Sequence, residues 1–163
     1  MKIIGTIRPL DKSHGAVRVQ DVYQTDIDDL WGACTKPERL ARWIAEVNGD
    51  LRLGGEFQAR FTSGWEGSGR VEVCEPPQRL VVVTSQAGES NECVIEATLS
   101  SDGERTTLVV EERGLPIEQL PDYGAGWQVH LEDLGAHLGG RERCEIKARW
   151  DELIIGYREL AVR

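Results

Sequence analysis

The clearest hydrophobic pattern of the chain lies within residues 126–139. Trp127, Leu131, Leu134 and Leu138 recur there at intervals of four, three and four residues. At about 100° per residue, these side chains form one apolar stripe along an α-helix. Because such a stripe needs an apolar surface to cover, the pattern predicts a long helix packed on a second layer of structure.

The chain before this helix carries short segments in which apolar and polar residues alternate, and these predict strands. They are rich in Val, Leu and Thr and end at turn residues such as Gly, Pro, Asp and Ser. The predicted strands are 3–7 at one edge, then 16–23, 57–61, 65–74, 79–85, 93–99 and 106–112. Segment 79–85 is apolar on both faces, which predicts a central strand covered on both sides.

Helical spacing also appears in three other places. Thr25 is predicted as the N-cap of a short helix over 26–34, since three Asp residues follow it in the first turn. Pro37 begins a second short helix that ends near Arg42. The tail, residues 146–160, predicts an amphipathic helix with apolar positions at Ile146, Trp150, Leu153, Ile154, Tyr157 and Leu160. Its apolar face either packs back on the domain, which we favour, or forms a homodimer through Trp150, Ile154 and Tyr157.

Together these elements predict an α+β fold, in which an antiparallel sheet of about six or seven strands curves around one long helix. Two short helices follow the strand at 16–23, and an amphipathic helix follows the long one. We assign residues 1–140 to a single domain and residues 141–163 to a helical extension. A chain of 163 residues with 40% hydrophobic content is long enough to build one core.

The composition limits which partners the protein is expected to bind and in which cellular compartment it is expected to lie. Acidic residues outnumber basic ones by 28 to 19, and the formal net charge of −9 argues against a nucleic-acid partner. The first residues, MKIIGTIRPLDK, lack the features of a secretion signal, and no apolar run is long enough to predict a membrane span. Cys34, Cys74, Cys93 and Cys144 show no CxxC spacing, which predicts reduced, mostly buried thiols and a cytoplasmic protein.

Several local motifs, in this order of elements, point to a known family. They are Thr25-Asp26 through Trp31, Lys36-Pro37-Glu38-Arg39-Leu40 with Trp43, Gly54-Gly55-Glu56-Phe57, Gly69-Arg70-Val71 with Pro77-Gln78-Arg79-Leu80, and Gly126-Trp127 through Leu138. In combination they resemble the homologs of the activator of the ninety-kilodalton heat-shock-protein ATPase, within the START-like (SRPBCC) superfamily. The resemblance implies a helix-grip fold with a cavity between helix and sheet. It implies no single function, because the roles within this family are diverse.

Aromatic and aliphatic side chains are predicted to converge on the space between the long helix and the sheet. The expected lining residues are Trp43, Phe57, Phe61, Trp65, Leu108, Val110, Tyr123, Trp127, Leu131 and Leu134. Aromatic lining is how many pockets for apolar ligands gain contact area. Alternatively, the same side chains fill a packed core, and Trp127 in particular is expected to be structural.

Two polar residues are candidates for chemistry in this space. His130 could act as a general base or orient a polar ligand. His137 lies seven residues further along the helix, too far for both rings to bind one ion, so no metal site is predicted. Glu112 shares a strand face with Leu108 and Val110, which would bury its carboxyl group and make it a candidate acid or base. The alternative is that the strand ends at residue 111 and leaves Glu112 in water or paired with an arginine.

Three functions remain open from the sequence. The first is a cytoplasmic protein that binds an apolar or amphipathic small molecule and requires no cofactor. The second is an enzyme of the cyclase or hydrolase type, which the resemblance permits, with acid–base chemistry by His130, Glu112 or Tyr123. The third is an interaction module that contacts a chaperone or a second copy of the chain. Convergent polar groups in the cavity would favour the enzyme, whereas an exposed face from Trp150 to Tyr157 would favour the module.

Overall fold

The computed structural model describes residues 2–162, which form one antiparallel sheet of eight strands and four α-helices. The strands are β1 (Gly5–Pro9), β2 (His14–Tyr23), β3 (Ala45–Gly49), β4 (Glu56–Phe61), β5 (Glu66–Glu75), β6 (Arg79–Gln86), β7 (Glu92–Asp102) and β8 (Arg105–Pro116). The helices are α1 (Ile27–Thr35), α2 (Pro37–Trp43), α3 (Leu120–Leu138) and α4 (Ile146–Ala161). The predicted α+β helix-grip arrangement is confirmed, with more strands than expected.

The sheet has the strand order β1-β2-β8-β7-β6-β5-β4-β3. The strand that the sequence missed is β3, a five-residue edge strand that pairs with β4 from Ala45 opposite Phe61 to Gly49 opposite Phe57. Its sequence, AEVNG, has only one β-branched residue, so local propensity is weak. Hydrogen bonds to β4 therefore define this strand more than its own side chains do.

The prediction that segment 79–85 is covered on both sides was wrong. This segment is β6, which is interior to the sheet because β5 and β7 pair with its two edges. Only Val81 and Thr84 of the strand are buried. Helices α1 and α3 contact the other half of the sheet, at β1, β2, β7 and β8, and so leave β6 half-covered.

Helix α1 begins one residue later than the sequence indicates. Its N-cap is Asp26, whose carboxylate accepts the backbone N–H of Asp29 at 2.8 Å. Thr25 instead donates its hydroxyl to the Asp29 carboxylate at 2.6 Å. The prediction of Thr25 as N-cap is corrected accordingly, although both residues order the same first turn.

Helix α3 carries the predicted stripe on the side that faces the sheet. Trp127, Leu131 and Leu134 are buried in the main core, the apolar cluster that α1, α2 and α3 form with β2, β7 and β8. The helix begins at Leu120, six residues before the predicted start, and has Pro121 in its first turn. Proline is tolerated there because the first helical N–H groups have no acceptor within the helix.

Helix α4 packs back on α3 and β1. Leu153, Ile154 and Tyr157 are buried there together with Ala125 and Val129 on the second face of α3. Two of the residues considered for a homodimer, Ile154 and Tyr157, are therefore 4% and 0% exposed within their own chain. No helix within residues 2–162 has the length and apolar character needed to cross a bilayer.

A buried amide connects both ends of the described chain to α3. The side-chain oxygen of Gln128 accepts the Tyr157 hydroxyl at 2.7 Å and the backbone N–H of Ile4 at 3.2 Å. Its amide nitrogen donates to the backbone carbonyl of Lys2 at 2.8 Å. Because Gln128 is 1% exposed, these hydrogen bonds satisfy a polar group that would otherwise be costly to bury.

The cysteines are less buried than predicted. All four are free, and Cys34, Cys74 and Cys93 are partly exposed. Cys144 is exposed, because it lies in the linker between α3 and α4. Its backbone N–H nevertheless donates to the buried carboxylate of Asp133 at 2.9 Å, which fixes the linker to α3.

Close packing of α3 against α4 predicts the effect of a substitution at Gly124. A Cβ atom on Gly124 would lie 2.5 Å from Cδ1 of Tyr157. We expect Gly124→Ala to lower the free energy of unfolding by about 1–3 kcal/mol, because the helices must move apart. In Gly126→Ala, the matched control, the new Cβ meets no atom within 4 Å, so stability should be unchanged or higher. Chemical denaturation measures both, and equal stabilities would contradict the packing described.

Candidate functional site

A cavity of about 710 Å³ lies between α3, the beginning of α4, the end of β4 and the inner faces of β6, β7 and β8. Its aromatic lining comes from β4, the β4–β5 turn, α3 and α4, and the residues are Phe61, Trp65, Tyr123, Trp127 and Trp150. The β4–β5 turn adds Thr62 and Ser63, and the strands add Thr84, Ile95 and Glu112. The cavity surface is therefore mostly apolar, with aromatic rings on several sides and polar side chains among them.

Four of the ten predicted lining residues reach this cavity, namely Phe61, Trp65, Tyr123 and Trp127. Phe57 lies instead in a small cluster with Ala59 and Val71. The remaining five, which are Trp43, Leu108, Val110, Leu131 and Leu134, are buried in the main core. There the long helix packs directly on the sheet, and side chains fill the space at the density of a protein interior.

Residues outside the prediction complete the cavity. Ile146 and Trp150 come from α4, and their position depends on how the tail folds back. The indole N–H of Trp150 donates to the backbone carbonyl of Asp122 at 3.1 Å, which ties the first turns of α3 and α4 together. The amphipathic pattern of the tail indicated that Trp150 needs an apolar neighbour, but it carried no information about which one.

The rings around the cavity contact one another edge to face. The Phe61 ring centroid lies 5.2 Å from that of Trp65 and 6.3 Å from that of Trp127. The His130 ring lies 5.6 Å from Phe61 and 5.9 Å from Trp127. Edge-to-face pairs of this kind are stabilising and fix the positions of the rings relative to one another. The rings thus form a preformed wall.

Glu112 is a buried carboxyl group on the cavity wall. Strand β8 continues beyond it to Pro116, and Glu112 is buried on the inner face rather than in water. No arginine within residues 2–162 is paired with it. The indole N–H of Trp127 donates to Oε1 of Glu112 at 2.8 Å. Burial raises the pKa of this carboxyl to about 7, although the indole hydrogen bond acts in the opposite direction.

His130 is buried beside the β4–β5 turn. Its Nε2 lies 3.1 Å from Oγ of Ser63, while Nδ1 has no hydrogen-bond partner among the described residues. Burial lowers the pKa of the imidazole to about 3, so the ring is neutral at physiological pH. Thr62 next to Ser63 also has a buried hydroxyl oxygen without a partner in the described part of the chain.

The other two titratable candidates differ in their relation to the cavity. Tyr123 is partly buried at its edge, and burial raises the pKa of the phenol to about 12, so that it remains a hydrogen-bond donor. His137 lies elsewhere, where its Nε2 accepts the Nε–H of Arg39 at 3.2 Å. His130 and His137 therefore belong to different surroundings. Within residues 2–162, no three His, Cys, Asp or Glu side chains are grouped as metal ligands would be.

The raised pKa of Glu112 predicts a pH-dependent gain in stability from Glu112→Gln. As pH rises from the ordinary value of 4.5 to about 7, the unfolded carboxyl ionises first, so the native state loses stability over this interval. We expect the variant to exceed the wild type by about 3 kcal/mol above pH 7 and to lose this advantage at about pH 4. Denaturant titrations at both pH values measure this, and a pH-independent difference would contradict it.

The fold and the cavity define a helix-grip protein, and comparison with known proteins gives the family. The family model described as Activator of Hsp90 ATPase homolog 1-like protein matches residues 24–139, and the chain belongs to this family. No curated protein matches the sequence. The region that matches the family model includes α3 and ends before α4.

Solved structures resemble the chain over different lengths. CalU16 from Micromonospora echinospora is 29% identical with a TM-score of 0.78, over 98% of this chain and 96% of that one. DynU16, a protein of the dynemicin biosynthetic locus, is 28% identical with a TM-score of 0.72, over 78% of this chain and 48% of that one. The HSP90 activator PFC0360w from Plasmodium falciparum, at 22% identity, a TM-score of 0.64 and coverage of 76% and 96%, shows the fold alone.

Proposed function

We propose that this protein binds an apolar or amphipathic small molecule in the cavity between α3, α4 and the sheet. The observation that carries the proposal is a cavity of about 710 Å³ walled by aromatic side chains, with a few buried polar groups directed into it. Ligand sites have this size and this mixture of apolar surface and few polar anchors. The protein is proposed to act in the cytoplasm, where its four free cysteines stay reduced.

The unpartnered polar atoms support a ligand with its own hydrogen-bonding groups. Nδ1 of His130 and the hydroxyl of Thr62 are buried and have no partner among the described residues. Leaving such a group unpaired costs about 1–3 kcal/mol. Both atoms are enclosed, so a polar ligand group or water that recovers this cost reaches them only when the lining side chains shift. The likeness to DynU16, a protein of a biosynthetic locus, also supports a small molecule as the ligand.

Catalysis is the second candidate, and the contact between Ser63 and His130 is the observation that favours it. A serine hydroxyl 3.1 Å from an imidazole nitrogen is the geometry of a nucleophile and its base. Such a base is normally oriented by a third group and has a pKa near working pH. In the described residues Nδ1 of His130 contacts no such group, and its pKa is lowered to about 3. The arrangement therefore supports binding better than acyl transfer.

An interaction module is supported less well. Of the three residues proposed for a homodimer, Ile154 and Tyr157 are buried against α3. Trp150 is partly buried, lines the cavity and donates its N–H to Asp122. The face considered for a chaperone or a second copy is thus mostly covered within the chain itself.

Binding is tested by filling the cavity from Gly126. This residue lines the cavity, and a Cβ atom on it meets no atom within 4 Å, so a leucine side chain there would occupy ligand space. Fluorescence titration with N-phenyl-1-naphthylamine, a neutral apolar probe, measures the affinity of the wild type and of Gly126→Leu. We expect at least about tenfold weaker binding in Gly126→Leu, equivalent to about 1.4 kcal/mol.

Ala148→Leu is the control, because it also places a leucine side chain on a helix, at an exposed position of α4 that does not line the cavity. It should bind the probe as the wild type does. Native mass spectrometry of the gently purified protein identifies any molecule that it retains. No probe binding by the wild type, or equal binding by Gly126→Leu, would reject the cavity as a ligand site.

A further inference from the structure

The buried carboxyl of Glu112 lacks a positively charged partner among residues 2–162. It is 5% exposed, and its one hydrogen bond among the described residues comes from the uncharged indole of Trp127. The neighbouring residue, Arg113, belongs to the other face of β8 and is paired there with Glu96 and Glu111. A buried acid without a counter-charge is costly to ionise, and a cation from a ligand would remove this cost.

Lys147 is the one cationic side chain among the described residues that line the cavity, and it is already engaged. Lys147 forms an ion pair with Asp151, one turn further along α4. The N-terminus of α4 is capped by Glu145, whose carboxylate accepts the backbone N–H of Ala148 at 2.8 Å. Asp122 adds a further acidic group to the rim. Negative charge therefore predominates around the cavity, which disfavours an anionic ligand and favours a cationic one.

The aromatic wall supplies a second feature that recognises cations. Trp127 donates its N–H to Glu112, so an indole lies immediately beside the carboxyl. Phe61 and Trp65 continue the wall from Trp127 through edge-to-face contacts. Ring faces attract ammonium groups, and most strongly where water is excluded. A carboxyl and several rings around one cavity are complementary to an ammonium group attached to an apolar body.

We propose that the cavity binds an amphipathic amine, whose ammonium group is placed against Glu112 and whose apolar part lies against Phe61, Trp65 and Trp127. The inference rests on the proposed binding function and specifies the chemical class of the ligand. On binding, an ammonium N–H donates to the ionised carboxylate of Glu112. Such a charge-assisted hydrogen bond is stronger than the bond that an uncharged ligand of equal shape could form.

A matched set of three probes tests the proposal. They share one naphthalene body and differ in the terminal group: 2-(1-naphthyl)ethylamine, 2-(1-naphthyl)ethanol and 1-naphthylacetate. Titration calorimetry of the wild type near neutral pH should show the amine binding about tenfold or more tightly than the alcohol, with the acid weakest. Glu112→Gln, which keeps the size of the side chain and an acceptor for Trp127, should bind amine and alcohol equally.

Asp122→Asn is the control, because it removes a negative charge from an exposed position at the rim of the cavity. This variant should keep most of the preference for the amine. Equal binding of the three probes by the wild type, or tightest binding of the acid, would overturn the amine inference and leave the binding function standing. Binding of N-phenyl-1-naphthylamine but of none of the three would also overturn it. The order of the three probe affinities in the wild type tests the proposal even if Glu112→Gln folds poorly.

Discussion

Replacing Tyr157 by alanine should lower the free energy of unfolding by about 3–5 kcal/mol, the range found when a large buried aromatic is truncated. Tyr157 is 0% exposed and lies between α4 and α3, so its removal leaves a cavity. The same change removes the hydroxyl that donates to the buried amide of Gln128 at 2.7 Å. Tyr157→Phe should cost only about 1 kcal/mol, because the ring is kept and a single hydrogen bond is lost.

Thermal and chemical unfolding of these variants should each show one transition. Ile155→Ala is the matched control on the same helix, since Ile155 is 58% exposed, and its stability should stay close to that of the wild type. A stability loss in Tyr157→Ala no larger than in Ile155→Ala would show that α4 does not belong to the folded core. A separate early transition in the wild type would lead to the same conclusion.

Acid should destabilise the protein through His130. The buried imidazole has a pKa of about 3, against an ordinary value of 6.5 for the unfolded chain. As pH falls below 6.5 the unfolded state takes up a proton that the native state excludes, so stability is full above 6.5 and declines towards pH 3. This linkage is worth about 3 kcal/mol between pH 6.5 and about pH 4.

The measurement compares the wild type with His130→Gln, which stays neutral at every pH. Glu112 changes stability in the opposite direction over part of the range, so the difference between the two proteins isolates the histidine. We expect this difference to shift in favour of the variant by about 3 kcal/mol on acidification. His14→Gln alters a side chain that is 42% exposed and should retain the acid sensitivity of the wild type. A constant difference between wild type and His130→Gln would contradict the burial described.

The local sequence pattern was sufficient to predict which side chains face the core wherever this depends on a single helix or strand. The stripe of Trp127, Leu131 and Leu134 defined the core face of α3, because helical period and burial are properties of that helix alone. Strand alternation likewise predicted that Glu112 shares the inner face with Leu108 and Val110. These features follow from backbone geometry and need no knowledge of distant contacts.

The division between packed core and open cavity could not be predicted in this way. Leu131 and Trp127 lie on the same stripe, yet the first is enclosed in the core and the second borders the cavity. The difference arises because α3 packs closely on β2, whereas β4, β5 and β6 make few or no contacts with the helices. The sequence placed Trp150 on the apolar face of the tail helix but did not predict its position at the cavity. The direction in which the tail returns depends on contacts between residues far apart in sequence.

The outer wall of the cavity belongs to the last element of the chain. Ile146 and Trp150 of α4 close a space whose other sides come from α3 and the sheet. Because the sheet pairs all its strands before α4 begins, the wall can be exchanged without altering strand register. Substitutions at Ile146 and Trp150 would thus reshape one wall of the cavity and leave Glu112, Phe61 and Trp127 in place. The shape of the site and its charge recognition can therefore be varied separately.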